Sequence, residues 1–177
     1  MREVVSVMID EQTLNDRINE LGRQISEDYA GKEIHVICVL KGGVAFMWEL
    51  SKRITIPLTM DFMSVSSYGN EKSSSGIVRI VKDLDQNIEG KDVLVVEDII
   101  DSGRTLSYLL ELLTKRKPAS LRLCTLLDKP DRRVVEGVDV DYCAFTIEDK
   151  FVVGYGLDYA QRYRNLPYVG EISFTED

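Results

Sequence analysis

The chain of 177 residues carries 22 Lys and Arg against 30 Asp and Glu, which gives a net charge of −8 at pH 7. Hydrophobic residues make up 44% and charged residues 29% of the chain, a composition that excludes a disordered or disulfide-dense protein. An acidic chain also lacks the surplus of Lys and Arg that nonspecific binding to nucleic-acid phosphates needs. The length suits a single domain, which we expect to span residues 1–177.

Cysteine and histidine usage limits the class of site further. Cys38, Cys124 and Cys143 are far apart and form no CxxC pattern, so we interpret them as reduced core residues. His35 is the only histidine and opens an apolar run, which favours a strand-end residue and leaves no material for a multi-histidine metal site. The first residues carry acids and no apolar run of about 7–15 residues, and no segment approaches the roughly 18 apolar residues of a membrane span. We therefore expect a cytoplasmic protein.

The first half of the chain alternates helix and strand signals. Apolar side chains recur every three or four residues over 10–30 and predict an amphipathic helix, capped by Asp10 or Thr13. A β-branched run at 34–40 then predicts a strand buried on both faces, and a glycine turn leads into a helix that reaches about residue 53. Strand, turn and helix in this order begin an α/β unit.

Two further strands are predicted at 58–66 and 76–83, and a polar segment rich in Ser and Gly joins them. Little in this segment, 67–75, can be buried, which predicts a flexible loop. The loop is either a plain connection between strands or a lid that closes over a site, since Tyr68 is a lone aromatic residue in a polar stretch.

The second half of the chain continues the alternation. Residues 92–106 begin as an apolar strand and end in the first turn of a helix, which Pro118 stops. Later strands are expected at 120–127, 140–147, 151–155 and 169–174, with a short turn or helix at 158–164. Strands that alternate with helices predict an α/β fold, with a mostly parallel sheet flanked by helices.

The loop that follows the strand in 92–106 has the features of an anion site. Ser102-Gly103-Arg104-Thr105 lies at a helix N-terminus, beyond the carboxyl end of a strand, where open parallel sheets bind ligands. Unpaired backbone N–H groups and the positive end of the helix dipole favour a phosphate there, and Gly103 lets it approach closely. The alternative is a helix capped by Asp101 or Ser102 that binds no ligand.

Three acids stand beside this loop. Glu97 and Asp98 are adjacent at the end of the apolar strand, and Asp101 follows three residues later. Like charges this close raise one another's pKa values and destabilise the fold, so they need a cation or a set of hydroxyl groups. Paired carboxylates beside a phosphate cradle predict a sugar phosphate, with the carboxylates on its hydroxyl groups or on Mg²⁺. The loop matches neither the Walker pattern nor GxGxxG.

Residues 95–105 carry a motif, Val-Val-Glu-Asp-Ile-Ile-Asp-Ser-Gly-Arg-Thr, that resembles the phosphoribosyl-diphosphate signature of the type I phosphoribosyltransferases, in its hypoxanthine-guanine branch. Motifs similar to those of the family follow in order over nearly the whole chain, at 39–43, 66–69, 127–130 and 149–159. The resemblance implies the fold of that family, with a small hood formed by the chain ends. It also implies purine salvage, in which the 5-phosphoribosyl group passes from phosphoribosyl diphosphate to hypoxanthine or guanine, giving IMP or GMP and pyrophosphate.

The resemblance implies a role for each residue that binds the phosphoribosyl group. Glu97 and Asp98 would hold the ribose hydroxyls, partly through Mg²⁺, and Asp158 would serve a second metal ion. Arg104 is given no catalytic role of its own. The loop around the 5′-phosphate would consist of Asp101, Ser102, Gly103, Arg104, Thr105 and Leu106.

The leaving pyrophosphate and the lid are assigned in the same way. Lys41, Gly42 and Arg164 would take the pyrophosphate, and the peptide between the first two is expected to be cis, as it often is in the family. Ser67 and Tyr68 would lie on the loop that closes over the reaction.

For the purine, the resemblance makes Asp101 the general base or acid at N7. Lys129 would donate to the 6-oxo group, Phe151 would stack on the ring, and the Val152 backbone would meet the substituent at position 2. Asp158 would also lie at the purine. A lysine donor predicts discrimination against adenine, whose 6-amino group is itself a donor.

Taken alone, several of these residues have plainer interpretations. Phe151 suits core packing at a strand start, and Lys129 suits a turn before a proline. Arg164 suits a solvated charge, and Asp158 suits the cap of a short helix.

Two other functions stay open from the sequence. One is a xanthine-preferring transferase, because the contact at purine position 2 is largely backbone. The other is a regulator on the same fold that binds RNA, which the net charge of −8 disfavours. As partners we expect the purine base and phosphoribosyl diphosphate, no nucleic acid, no membrane, and a second copy of the chain in a homodimer or homotetramer.

Overall fold

The computed structural model describes residues 2–67 and 78–175, which fold into two sheets and three α-helices. A single 3-10 turn covers Pro130–Arg132. The regular elements in chain order are β1 (Arg2–Ile9), α1 (Glu11–Asp28), β2 (Ile34–Val39), α2 (Val44–Ser51), β3 (Leu58–Ser67), β4 (Val78–Lys82), β5 (Asp92–Ile100), α3 (Arg104–Thr114), β6 (Ser120–Asp128), β7 (Tyr142–Thr146), β8 (Val152–Val153) and β9 (Val169–Thr175).

The main sheet has six strands in the order β4-β3-β2-β5-β6-β7. Five of them run parallel, and β4 pairs antiparallel with β3 at one edge. This confirms the predicted α/β fold. Because parallel strands end at the same edge of a sheet, the carboxyl ends of β2, β5 and β6 come together there.

Helices cover both faces of the main sheet. One core cluster joins α1 and α2 to the sheet, and the other joins the apolar side of α3 to the opposite face. The central strand β5 is accordingly buried on both sides, as its unbroken apolar run predicts. Fully buried members of the two clusters include Leu14, Ile18, Leu21, Phe46, Leu109 and Leu113.

The second sheet is formed by the two ends of the chain. Its order is β1-β9-β8, all antiparallel, with Arg2 opposite Thr175. The expected hood is therefore present, although the sequence analysis did not identify β1 as a strand. Most β1 side chains are partly or fully exposed, so the strand lacks the apolar alternation that would have identified it.

Local boundaries differ from the predictions in a few places. Asp10 caps α1 by accepting from Thr13 N at 2.7 Å, which confirms the first of the two capping candidates. The strand predicted at 151–155 is shorter, because Gly154 and Tyr155 take positive φ and leave the extended conformation after β8. Residues 158–164 form turns and one isolated bridge rather than a helix.

The cysteines and the histidine lie much as expected. All three cysteines are free thiols, Cys38 and Cys124 in the core and Cys143 partly exposed. His35 is buried near the start of β2. Along residues 2–67 and 78–175, no helix has both the length and the apolar character that a membrane crossing requires.

Candidate active site

The described residues form a cleft of about 280 Å³ where β2 and β5 end and α3 begins, here called the strand-end cleft. Its apolar floor contains Val39 and Ile100, and its polar rim contains Glu97 and Asp101. Other lining residues include Ser102, Gly103, Thr105 and Leu106. Six of the residues predicted for the 5′-phosphate and ribose are thus lining residues of one cleft.

The start of α3 is open to an anion. Gly103 precedes the helix with a φ of 80°, a left-handed conformation that favours glycine. Within the described chain no side chain caps this helix, and the nearest hydroxyl, Ser102 Oγ, accepts from Arg104 N only at 3.4 Å. Among the described residues neither Asp101 nor Ser102 therefore forms a regular cap, although Ser102 makes this one long contact with the first N–H of α3. The first N–H groups of α3 are left for a ligand.

The adjacent acids Glu97 and Asp98 lie at the end of β5, and both are partly exposed. Glu97 lines the strand-end cleft, and Asp98 lies against Gly42. Burial raises the pKa of Glu97 well above its ordinary value, and the neighbouring charge of Asp98 raises it further. Burial also raises the pKa of Asp98, while the Ile99 N–H that donates to it at 2.7 Å acts in the opposite direction. Two such carboxylates are stabilised by a nearby cation.

The turn after β2 fits closely around Asp98. A Cβ added to Gly42 would lie 1.7 Å from Asp98 Oδ2, so only glycine lets this carboxylate reach the turn. On its other side Gly42 contacts Gly156, where an added Cβ would lie 2.1 Å from the Gly42 carbonyl oxygen. The cis peptide of this turn joins Leu40 to Lys41, so the expectation of a cis bond between Lys41 and Gly42 was wrong by one position.

Three of the four residues predicted for pyrophosphate and the second metal ion, Lys41, Asp158 and Arg164, are brought together. Arg164 forms an ion pair with Asp158 at 2.9 Å and donates to the Gly156 carbonyl at 2.8 Å. The side-chain oxygen of Gln161 lies between Arg164 and Lys41, 3.3 Å from Arg164 Nη2 and 3.2 Å from Lys41 Nζ. Arg164 is therefore neither isolated nor purely solvated, and Asp158 caps no helix.

A row of alternating charges links two other predicted residues, Asp101 and Lys129. Arg132 donates to Asp101 Oδ1 at 2.9 Å and lies 3.7 Å from Asp149 Oδ2. Lys129 contacts the other Asp149 oxygen at 3.4 Å. Lys129 does lie at the turn before Pro130, as its plainer interpretation has it, but its side chain is only 7% exposed. A buried ammonium needs an acceptor, and Asp149 supplies one here.

The residue predicted to stack on a purine ring lies at the surface. Phe151 is 51% exposed, so the alternative of core packing is wrong. The ring of Tyr159 meets Phe151 edge-on at a centroid distance of 5.7 Å, and Phe174 of the hood meets Tyr159 at 5.2 Å. The next residue, Val152, is buried in β8 and pairs with Glu171. Phe151 thus offers an open aromatic face beside a rigid strand.

Several residues that contact the predicted site were not identified from the sequence. Arg132, Asp149 and Gln161 each touch a predicted site residue. Asp149 lies in a motif of the resemblance, but its charge gave no reason to pair it with a lysine twenty residues earlier. Of the two predicted lid residues, Ser67 is the last residue of β3, and Tyr68 lies outside the described residues.

Two of the three acids predicted as magnesium ligands suit that role in this structure. Among the described residues no group of three or more His, Cys, Asp or Glu side chains converges as a metal site. Mg²⁺ commonly takes only one or two carboxylates and completes its shell with water and substrate phosphates, so Glu97 and Asp98 suit it. Both Asp158 oxygens are engaged, one by Arg164 and the other by Gln161 N, so Asp158 meets a metal only by sharing or exchanging these partners.

The fold and this arrangement of loop, acids and turn are those of an enzyme class. The family model described as phosphoribosyl transferase domain matches residues 8–160. The chain therefore belongs to the phosphoribosyltransferase family and has its type I fold, as the sequence resemblance predicts.

Individual proteins are similar to this chain along most of its length. The hypoxanthine phosphoribosyltransferase of Salmonella typhimurium is 52% identical over 179 aligned residues, with 100% of both chains covered. The bifunctional protein TilS/HprT of Listeria monocytogenes is 56% identical over 168 residues, or 95% of this chain. The chain spans only 26% of that longer protein.

Solved structures agree with these relatives. A hypoxanthine-guanine phosphoribosyltransferase from Bacillus anthracis, crystallised with HEPES in its active site, superposes with a TM-score of 0.91 at 44% identity. The match covers 98% of this chain and 100% of that one. A hypoxanthine phosphoribosyltransferase from Staphylococcus aureus also gives 0.91, at 48% identity over 95% of this chain and 91% of that one.

Proposed function

We propose that this chain transfers the 5-phosphoribosyl group of phosphoribosyl diphosphate to hypoxanthine, and to guanine, with release of IMP or GMP and pyrophosphate. The observation that carries the proposal is the pair of partly buried carboxylates, Glu97 and Asp98, beside the uncapped start of α3. Sugar hydroxyls suit the first feature and a 5′-phosphate suits the second. The names of relatives more than 50% identical over their full length, which are hypoxanthine phosphoribosyltransferases, support the choice of purine.

The 5′-phosphate would bind to the N–H groups and hydroxyls of the loop at 101–106. These groups lie between two regular elements, β5 on one side and α3 on the other, which we expect to hold the loop in place before the ligand arrives. A site built in advance loses little free energy to reorganisation when the substrate binds. The loop thereby orients the anomeric carbon of the ribose toward the purine.

Glu97 and Asp98 would hold the ribose hydroxyls directly or through Mg²⁺, with Asp158 as the proposed ligand of a second ion. Bound Mg²⁺ would supply positive charge to the diphosphate as it leaves. The proposal for Asp158 requires it to loosen its ion pair with Arg164. Arg164 would then be released toward the pyrophosphate, next to Lys41 and Gly42.

Asp101 would take the proton of the purine at N7 as the new bond to carbon forms, and return it in the reverse reaction. Its carboxylate borders the strand-end cleft and is 47% exposed, so a base stacked nearby can reach it. In the free protein Arg132 Nε donates to Asp101 Oδ1 at 2.9 Å, a contact that the purine N7 proton would replace. A positioned carboxylate of this kind contributes about 10²–10⁴-fold to a rate.

Lys129, Phe151 and Val152 would form the purine site. The Lys129 ammonium would donate to the 6-oxo group, the exposed Phe151 ring would stack on the base, and the Val152 backbone would meet position 2. A buried donor that finds another donor opposite it loses a hydrogen bond, so adenine is expected to be a poor substrate. Ser67 and Tyr68 are proposed to close over the site and exclude water.

Assembly and domain structure are part of the same proposal. We propose that residues 1–177 form one domain, because one core cluster contains residues of both sheets. We also propose a homodimer or homotetramer, supported by the exposed side chains of Val44 and Trp48 on one side of α2. The cytoplasmic location stays a prediction from the sequence.

A spectrophotometric assay with phosphoribosyl diphosphate and Mg²⁺ tests the proposal. Hypoxanthine, guanine, xanthine, adenine and uracil are compared in parallel. Turnover of hypoxanthine and guanine with little of adenine is expected. Turnover of uracil alone, or of no base, would overturn the proposal, and a strong preference for xanthine would favour the xanthine-preferring alternative.

A further inference from the structure

One neutral side chain stands between two of the cations proposed for pyrophosphate. Gln161 Oε1 lies 3.2 Å from Lys41 Nζ and 3.3 Å from Arg164 Nη2, so a single oxygen accepts from both. An acceptor oxygen shared by an ammonium and a guanidinium is also the arrangement that a diphosphate oxygen would adopt. Gln161 therefore stands where part of the ligand is expected.

The backbone of this segment fixes where the Gln161 side chain starts. The φ of Gln161 is 66°, in the left-handed region that few residues other than glycine favour. The Gln161 N–H donates to Asp158 Oδ2 at 2.8 Å. The other oxygen of Asp158 is held by Arg164. The amide itself is exposed, and among the described residues its hydrogen bonds are those to the two cations, so it can turn away without disturbing the core.

We propose that the Gln161 side chain is an internal competitor for the pyrophosphate group, which occupies the subsite in the free protein and leaves when the diphosphate binds. This inference rests on the proposed function, since it takes Lys41 and Arg164 to be the pyrophosphate cations. A diphosphate oxygen carries negative charge and displaces the neutral amide because hydrogen bonds between charged groups are stronger. The displacement lowers the net affinity for the anion.

If Gln161 competes with pyrophosphate, removal of its acceptor should strengthen the binding of pyrophosphate. If Gln161 instead helped to bind pyrophosphate, the same change should weaken it. Gln161→Met keeps the length of the side chain and removes the acceptor, so pyrophosphate should bind about 3- to 10-fold more tightly. Gln161→Glu replaces the neutral acceptor with an anion, so this variant should bind pyrophosphate more weakly than the wild-type protein, by about 3- to 10-fold or more. The difference in affinity between Gln161→Glu and the wild-type protein should shrink at high salt, because the charges are exposed and salt screens them.

Titration calorimetry with inorganic pyrophosphate and Mg²⁺ measures this order directly. The matched control is Gln86→Met, which removes a similar exposed contact between a glutamine oxygen and Lys91 Nζ at 2.9 Å, away from the cleft. That variant should bind pyrophosphate like the wild-type protein. In turnover, Gln161→Met should lower KM for phosphoribosyl diphosphate.

Two results would overturn the inference. Pyrophosphate binding by Gln161→Met that is unchanged or weaker would make Gln161 a bystander or a ligand of the anion. Equal affinity of Gln161→Glu and wild type would remove the competition. In either case the proposed function stands as long as the wild-type protein turns over hypoxanthine, whereas a wild-type protein that neither binds pyrophosphate nor turns over purines would overturn both.

Discussion

Asp98 packs against the backbone of Gly42 so closely that a Cβ at position 42 would lie 1.7 Å from Asp98 Oδ2. This contact joins the turn after β2 to the acidic end of β5, two neighbouring strands of the main sheet. It also places the residue proposed for ribose and metal beside the turn proposed for pyrophosphate. The two subsites are therefore built as one unit.

The substitution Gly42→Ala should separate the ribose and pyrophosphate subsites. The added methyl group must push Asp98 or the turn aside by more than an ångström, and displacements of about 1 Å at a reacting centre can lower rates about 10²-fold. We expect kcat/KM for phosphoribosyl diphosphate to fall by about that factor. Steady-state kinetics measure the loss, and a thermal unfolding curve close to that of the wild type shows that the fold persists. A fully active variant would mean that Asp98 has no fixed role.

Removal of the Asp101 charge tests the proposed base. Asp101→Asn keeps the shape of the side chain but removes its ability to take a proton, so kcat should fall by about 10²–10⁴-fold. The neighbouring exposed acid Asp131 provides the matched control, and Asp131→Asn should leave kcat near the wild-type value. Near-normal turnover of Asp101→Asn would exclude the residue as the general base.

Lys129 is expected to decide between 6-oxo and 6-amino purines. Lys129→Met removes the donor while it keeps much of the buried side-chain volume, so the preference for hypoxanthine over adenine should fall by about 10²-fold or more. The measurement is the ratio of kcat/KM for the two bases. Lys150→Met removes an exposed lysine that pairs with Glu171 instead, and its ratio should not change. An unaltered ratio in Lys129→Met would place discrimination elsewhere.

His35 makes stability depend on pH. Burial lowers the pKa of His35 below its ordinary value of 6.5, with help from the charge of Lys91, although Asp61 acts in the opposite direction. The unfolded chain then takes up a proton near pH 6.5 that the folded chain does not, so the free energy of unfolding falls as the pH drops below 6.5. Above that pH, His35 is neutral in both states and its own contribution no longer changes with pH.

Urea unfolding between pH 7.5 and 5.5 measures this loss of stability. His35→Gln should reduce the slope over that range, because no side chain at position 35 then titrates. Asp61 is not the cause in this window. Burial acts to raise its pKa, but hydrogen bonds from the backbone N–H groups of Asp85, Phe62 and Gln86 outweigh burial and hold the pKa below its ordinary value of 3.8. Equal slopes for the variant and the wild type would show that another group is responsible.

The order of elements and the phosphate loop could be predicted from local sequence. The apolar period of α1, the unbroken apolar run of β5 and the Ser-Gly-Arg-Thr start of α3 are all properties of a few consecutive residues. The motif at 95–105 likewise identified the family before any contact was known. The exposed strand β1 was missed because its partner, β9, lies at the other end of the chain.

Contacts between distant segments were decided only by the tertiary structure. Lys129 reads as a turn lysine until the fold buries it beside Asp149, and Gln161 has no role until Lys41, 120 residues away, comes within reach of its oxygen. The sequence by itself determined the fold class, the family and the acids at the end of β5, because each depends on neighbours along the chain. Which charges pair across the cleft depends on distances between segments that only packing brings together.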